Sequence, residues 1–235
     1  MPTPNTAITS AFIVSTTAGT HSNAINSDGI SIINALIGSG KLVVCLMSKE
    51  HDYDGNEPSD GGDYTRIRCY YSEYTSTGRD PQLKLTYDDA STSSIYSTGT
   101  GNDDDGYISN SNFDDTKTWA QIRGDETTTG SFRNVALNNA ANGVYARMIT
   151  GRGGVIRDCT RSYFVFNLSA ESGTVASSTI HFYLDNIGTS TGDSAKIIAV
   201  RATTLAGSTA DFGNCYVADT VATPSQNVTF FGANF

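Results

Sequence analysis

Two stretches decide the reading of this chain: RSYFVFNLSAESGTVASSTIHFYLDN at 161–186 and DPQLKLTY at 80–87. In the second, Leu83, Leu85 and Tyr87 fall on one side of an extended chain, with Lys84 and Thr86 on the other. That period of two marks a strand with one buried face. The first stretch holds two further strand-like runs, SYFVFNL (162–168) and STIHFYL (178–184), joined by a Ser/Gly-rich segment. Outward from these, similar runs recur: AFIVST (11–16), ISIINAL (30–36), KLVVCLMS (41–48), TRIRCYYSEY (65–74), GYIS (106–109), TWAQIRG (118–124), VYARMI (144–149), AKIIAVRAT (195–203) and NVTFFGANF (227–235). In TRIRCYY, Ile67 and Cys69 alternate with Arg66 and Arg68. Gly/Ser/Asp/Asn turns such as GNEPSDGG (55–62), STGRD (76–80) and GTSTGD (188–193) separate the runs. Only SDGISIINALIGSGK (27–41) has helical spacing, with apolar residues at 30, 32, 33, 36 and 37 and Ser27 or Asp28 as the cap. Many short strands with turns between them argue for an all-β antiparallel sandwich or jelly roll.

Composition agrees with that class. Of 235 residues only 17% are charged, 23 are glycine, and the net charge is −9. An acidic surface repels phosphate backbones and anionic lipid, so neither nucleic acid nor membrane is an expected partner. No stretch approaches the roughly 20 apolar residues that span a bilayer. The opening MPTPNTAITSAFIVSTTAG has no positive region, and its apolar run AFIV is too short for a secretion signal. Release by lysis as part of a particle would need none. The four cysteines, Cys45, Cys69, Cys159 and Cys215, form no CxxC pair, which argues against a zinc or thioredoxin-type site. Cys45 and Cys69 lie in apolar runs and read as buried free thiols, while a Cys159–Cys215 disulfide stays open.

The segment SYFVFNLSAESGTVASSTIHFYL resembles a strand pair of carbohydrate-associated and cell-surface jelly rolls of the DNRLRE/CBM96-like kind. In that resemblance Phe164, Phe166 and Leu168 are core, and 103–108 is similar to the opening strand of those domains. GISIINALIGSGKLVVCLMS followed by YTRIRCYYSEYTSTGRDPQLKLTY resembles their final third, with Asp80, Pro81, Gln82 and Leu83 matching the signal before the closing strand. Here the closing part comes first in the chain. The resemblance therefore implies a jelly-roll sandwich that is circularly permuted or strand-swapped between copies. Residues 1–87 would be its closing part, 88–105 a linker, and 106–235 the opening and central strands of the same sandwich or a second β domain. Surface termini that lie close together make permutation physically tolerable. Either way, 82–87 is expected to pair with strands from 103–235.

Candidate chemistry is sparse. The loops HDYDGNEPSDGGD (51–63) and GNDDDG (101–106) supply Asp52, Asp54, Asp103 and Asp105 as oxygen ligands for a structural calcium, against the plainer reading as solvated acidic loops. The spacing of an EF-hand is absent. No other cofactor is implied. Tyr70, Tyr71 and Tyr74 could form a sugar-stacking platform, though tyrosines are also ordinary strand residues. His181, between Ile180 and Phe182, reads as a sheet-satisfied imidazole. Asp114, Asp115 and Glu171 are carboxylates of the kind that flank glycosidic bonds, but their spacing shows no convergent pair, and no G-x-S-x-G elbow exists. The basic locality GRGG (151–154) with Arg147, Arg157 and Arg161 reads as a turn with ion-pairing arginines, facing acidic loops of another copy. Phe230, Phe231 and Phe235, in an apolar C-terminal run, are the expected assembly contacts. The sum is an expectation of a non-enzymatic structural protein of a viral (phage) particle, a capsid decoration or tail-fibre/adhesin module. Its partners would be copies of itself and other virion proteins. The alternative is a carbohydrate-binding module that recognises a surface polysaccharide.

Overall fold

The computed structural model describes residues 7–9, 12–13, 19–59, 64–72, 77–97, 105–112, 117–124, 131–134, 141–151, 154–189 and 196–201. Among them are twelve strands: β1 (Phe12–Ile13), β2 (Gly19–Ala24), β3 (Lys41–Ser48), β4 (Tyr64–Cys69), β5 (Gln82–Tyr87), β6 (Thr92–Tyr96), β7 (Gly106–Asn112), β8 (Ser131–Asn134), β9 (Ala141–Gly151), β10 (Gly154–Asn167), β11 (Val175–Thr189) and β12 (Lys196–Arg201). Two helices accompany them, α1 (Ser27–Leu36) and α2 (Trp119–Gly124). Every strand pairing is antiparallel. The protein is an all-β antiparallel sandwich.

Two long strands hold the layers together. Along one edge β10 pairs first with β9 (154–160) and then with β3 (162–167), while its other edge carries β7. β11 behaves alike: β5 and then β4 follow one another on one edge, and β2 occupies the other. The path β12-β3-β10-β9-β4-β11-β5-β6 is thus hydrogen-bonded throughout. Leu83 lies opposite Ile180 and Lys84 opposite Thr179, so the expected pairing of 82–87 with the later part of the chain is made within one chain. SYFVFNL and STIHFYL take different strand partners and meet through side chains, with the Phe164 and Phe182 rings 4.9 Å apart.

The main core gathers Leu42, Val44 and Leu46 of β3, Phe164 and Phe166 of β10, Leu83 and Leu85 of β5, and Ile180, Phe182 and Leu184 of β11. A second cluster uses the opposite faces, Val43, Cys45 and Met47 of β3 with Cys159, Tyr163 and Val165 of β10, covered by Trp119 and Ile122 of α2. This explains the unbroken apolar run LVVCLM. A strand buried on both faces has no side on which to place polar residues. The core joins residues from 8 to 95 with residues from 164 to 199.

Three local expectations are corrected. TWAQIRG is not a strand: Thr118 and Gln121 form a reciprocal cap, Gln121 N donating to Thr118 Oγ1 (3.3 Å) and Thr118 N to Gln121 Oε1 (2.8 Å), and this starts α2. The helix at 27–36 is present, but its cap is Asn26, whose Oδ1 accepts from Gly29 N at 2.8 Å. Residues 88–97 and 105 of the expected linker are built into the fold. Residues 88–91 make the turn of a β5–β6 hairpin, with Ala90 at φ 65°, and Asp105 is fully buried. Asp105 accepts from Ser72 N and Ser72 Oγ (both 2.9 Å) and from Ser97 Oγ (2.7 Å), which pins the end of the hairpin to the loop after β4.

Gly29 is where α1 touches the chain before it. A Cβ there would lie 2.4 Å from Ile25 Cγ2 and 2.9 Å from Ile8 Cβ. Gly29→Ala is expected to lower stability by roughly 1–3 kcal/mol, overpacking outweighing the gain in helix propensity. A lower urea midpoint at unchanged slope is the readout.

Candidate functional site

Two polar centres stand out, one buried and one open. The buried centre begins with the chemistry of Asp52. This residue belongs to a π-helical turn, Lys49–Tyr53, that continues from β3. Its carboxylate is gripped by Arg161 of β10, Nε to Oδ2 at 2.7 Å and Nη2 to Oδ1 at 2.8 Å. Arg161 is fully buried and also donates to the Arg123 carbonyl at 2.7 Å. Arg123, from α2, returns a bond from Nε to the Asp52 carbonyl at 2.6 Å. Trp119 Nε1 donates to the His51 carbonyl at 2.9 Å. Gly55 (φ 83°) lies so close to Arg123 that a Cβ would sit 2.5 Å from Nη1. Burial works against the charge of Arg161, and the adjoining Asp52 more than offsets it, so the guanidinium pKa is held above its ordinary value. Burial, and then the charge of Asp52, push the Cys159 thiol well up. Burial alone raises Cys69 to about 12 against a hydrogen bond from Ser162. Thiols held protonated are poor nucleophiles. The centre is a clamp that fixes the turn and α2 to β10.

The open centre is a groove of about 460 Å³ between the β5–β6 turn and the β10–β11 connection. Its floor is Tyr87 and Glu171. The Tyr87 hydroxyl donates to Glu171 Oε2, and Ser93 Oγ donates to Oε1 at 3.1 Å. Partial burial and then Glu171 raise the Tyr87 pKa to about 12, which keeps the phenol a donor. Asp88 and Asp89 rim the groove. Asp89 Oδ1 accepts from Ser91 N (2.9 Å) and Oγ (2.6 Å), and these bonds lower its pKa. Asp88 N donates to the Thr174 carbonyl at 3.0 Å, tying the two walls together. The groove offers carboxylate acceptors and Ser/Thr hydroxyls, a set suited to the hydroxyl groups of a neutral polyol and unsuited to an anion.

The residues expected to act are placed as follows. Asp52 faces Arg161, Asp54 pairs with Lys49, and Asp105 is bonded to Ser72 and Ser97, so these three do not converge as calcium ligands. Among the described residues no group of three or more His, Cys, Asp or Glu could hold a metal ion. Tyr71 is 1% exposed, its ring 5.6 Å from Phe164 and its hydroxyl bonded to Ser162 Oγ at 2.9 Å. Tyr70 is buried against Tyr183 at 5.2 Å, with the Arg79 guanidinium 4.9 Å above it. Neither ring can be the face of a sugar platform, because the strand ends at Cys69 and both sides of the chain beyond it are covered. Arg157 pairs with Glu57 at 2.8 Å and Arg161 with Asp52, so the arginines meet the acidic loop of their own chain. Cys45, Cys69 and Cys159 are buried thiols, none of them in a disulfide. Asp103, Tyr74, Asp114, Asp115, Cys215, Phe230, Phe231 and Phe235 lie outside the described residues. The Tyr87–Glu171 groove went unforeseen, since its two walls are 84 positions apart.

His181 behaves as a sheet residue: its Nε2 lies 2.9 Å from Thr179 Oγ1. Burial, and then Lys84, lower its pKa. The neutral form is therefore favoured on folding, and this contribution is present above the unfolded pKa and lost as pH falls through the folded one. Below about pH 6.5, His181→Gln is expected to lose less stability on acidification than the parent chain, measured by urea midpoints across a pH series.

No family model, curated protein or solved structure matches this chain.

Proposed function

We propose that this chain is a non-enzymatic structural β-sandwich module of a viral (phage) particle, a capsid decoration or tail-fibre/adhesin component that assembles with its own copies and other virion proteins. The observation that carries this reading is the use made of the reactive side chains. Asp52, Arg123 and Arg161 clamp a turn and a helix to β10, Asp105 pins a hairpin, and Tyr70 and Tyr71 pack into the fold. These groups supply rigidity, which a particle component needs. The acidic, Ser/Thr/Gly-rich composition supports the same reading, as does the resemblance of the first part of the chain to the closing strands of cell-surface jelly rolls. Fold alone does not dictate function, so the test is direct. Mass spectrometry of purified particles from the source should find the chain at a fixed stoichiometry. Recovery of the chain only in the particle-free fraction would withdraw the proposal.

A second reading, a carbohydrate-binding module, is favoured by the groove of Tyr87, Asp88, Asp89 and Glu171. It moves the sugar site away from Tyr70 and Tyr71. On a glycan array this reading expects specific retention that is lost in Glu171→Gln and Asp89→Asn while both variants melt normally. Retention unaffected by either exchange, or no retention, would sink it.

A further inference from the structure

The sandwich ends in an edge that is built for pairing. Among the described residues β6, TSSIY, pairs as a strand only with β5. Tyr87 N donates to the Ser91 carbonyl and Ser97 N to the Pro81 carbonyl, both at 2.9 Å. Antiparallel alternation then turns the backbone groups of Ser93 and Ile95 towards β5. The N–H and C=O groups of Thr92, Ser94 and Tyr96 point the other way, to the outer edge, and no described residue bonds to them there. The side chains of these three residues are exposed, and Tyr96, 47% exposed, is the one exposed large hydrophobic among the described residues.

Natural edge strands are commonly blunted by charge, proline or a bulge. β6 has no charged residue and no proline, and its register with β5 is continuous over all five positions. We infer that β6 is a self-association edge, at which the β6 strands of two copies pair antiparallel about a two-fold axis at Ser94 and join the two sandwiches into one continuous sheet. The inference stands apart from the assignment to a particle.

A second copy is the occupant that the edge fits. About Ser94 the strand is its own complement. Thr92 meets Tyr96 of the other copy, each outward N–H meets a C=O, and the Tyr96 ring covers the opposite Thr92. Electrostatics favours the same place. The chain carries −9, so two copies repel over most approaches. Neither QLKLTY nor TSSIY contains an acid, and the only charge in the hairpin strands is Lys84, opposite Ser94 on the adjoining strand. The turn carboxylates Asp88 and Asp89 lie at opposite ends of the seam. A five-residue seam is far smaller than the roughly 1,200–2,000 Å² of a stable interface, so the dimer is weak and depends on concentration. Isologous pairing closes at two copies, whereas pairing with a different edge would run on into open polymers.

Sedimentation velocity over a concentration series, with hydrogen exchange on the same samples, tests this. The expected result is a reversible monomer–dimer equilibrium in which the amides of Thr92, Ser94 and Tyr96 gain protection as concentration rises. Ser94→Lys places like charges face to face, and Ser94→Pro removes an N–H that no described residue bonds. Each is expected to weaken dimerisation at least tenfold, with a small fall in melting temperature for Ser94→Lys, which also faces Lys84 of its own chain. A parent chain that stays monomeric throughout overturns the inference. So does a dimer indifferent to Ser94→Lys, or an open polymer. Exchange in the parent chain decides the matter even if the proline variant fails to fold.

Discussion

Arg161→Met is expected to lower the unfolding free energy by about 3–5 kcal/mol, among the largest effects of any single exchange in this protein. Both Arg161 and Asp52 are buried, and the guanidinium fills both carboxylate oxygens. Removing it leaves a charge in the interior with the longer contact to Arg123 Nε, 3.8 Å from Oδ1, and the Cys159 thiol beside it. It also strips a donor from the Arg123 carbonyl. The double variant Arg161→Met/Asp52→Leu is expected to regain a large part of the loss, because an apolar pair of similar volume avoids desolvating two ions. The single Trp119 reports the transition, since it is buried in the same cluster and bonded to the turn that bears Asp52. Urea unfolding followed by its fluorescence gives both numbers. A double variant no better than Arg161→Met would mean that the carboxylate is not what the arginine stabilises.

Why this clamp escaped the sequence is instructive. Asp52 and Arg161 are 109 positions apart, and an aspartate in an acidic, glycine-rich loop is usually solvated. Nothing local marks it as buried. The strands were legible for the opposite reason: QLKLTY and KLVVCLM carry their burial in their own periodicity, one-faced in β5 and two-faced in β3. Legibility failed where the signal was short or polar. TSSIY has one apolar residue facing the core, Ile95, and so read as linker. TWAQIRG has apolar residues that suit either period, and only the Thr118/Gln121 spacing distinguishes the helix. Tyr70 and Tyr71 show a further limit. Alternation predicts opposite faces for neighbours, but not that tertiary structure covers both. Of the candidate site, Glu171 was visible as a carboxylate, whereas its partnership with Tyr87 exists only once β5 lies beside β11.

Phe164→Ala is expected to cost about 3–5 kcal/mol, the range for emptying a large aromatic site in a packed core. Phe164 is fully buried, and its ring lies between the earlier and later parts of the chain. On one side lies Tyr71, stacked at 5.6 Å with 27° between planes, and on the other Phe182 at 4.9 Å. Tyr71 follows β4, Phe164 sits in β10 and Phe182 in β11, so one deletion loosens three elements at once. For a chain of this size the melting temperature should fall by roughly 6–20 °C. Tyr71→Phe gives the control within the same stack. It keeps the ring contact and removes only the hydroxyl bonded to Ser162 Oγ, so about 0.5–1.5 kcal/mol is expected. The ordering of the two losses is the discriminating result. If Tyr71→Phe cost as much as Phe164→Ala, hydrogen bonding rather than aromatic packing would hold the segment after β4 against β10.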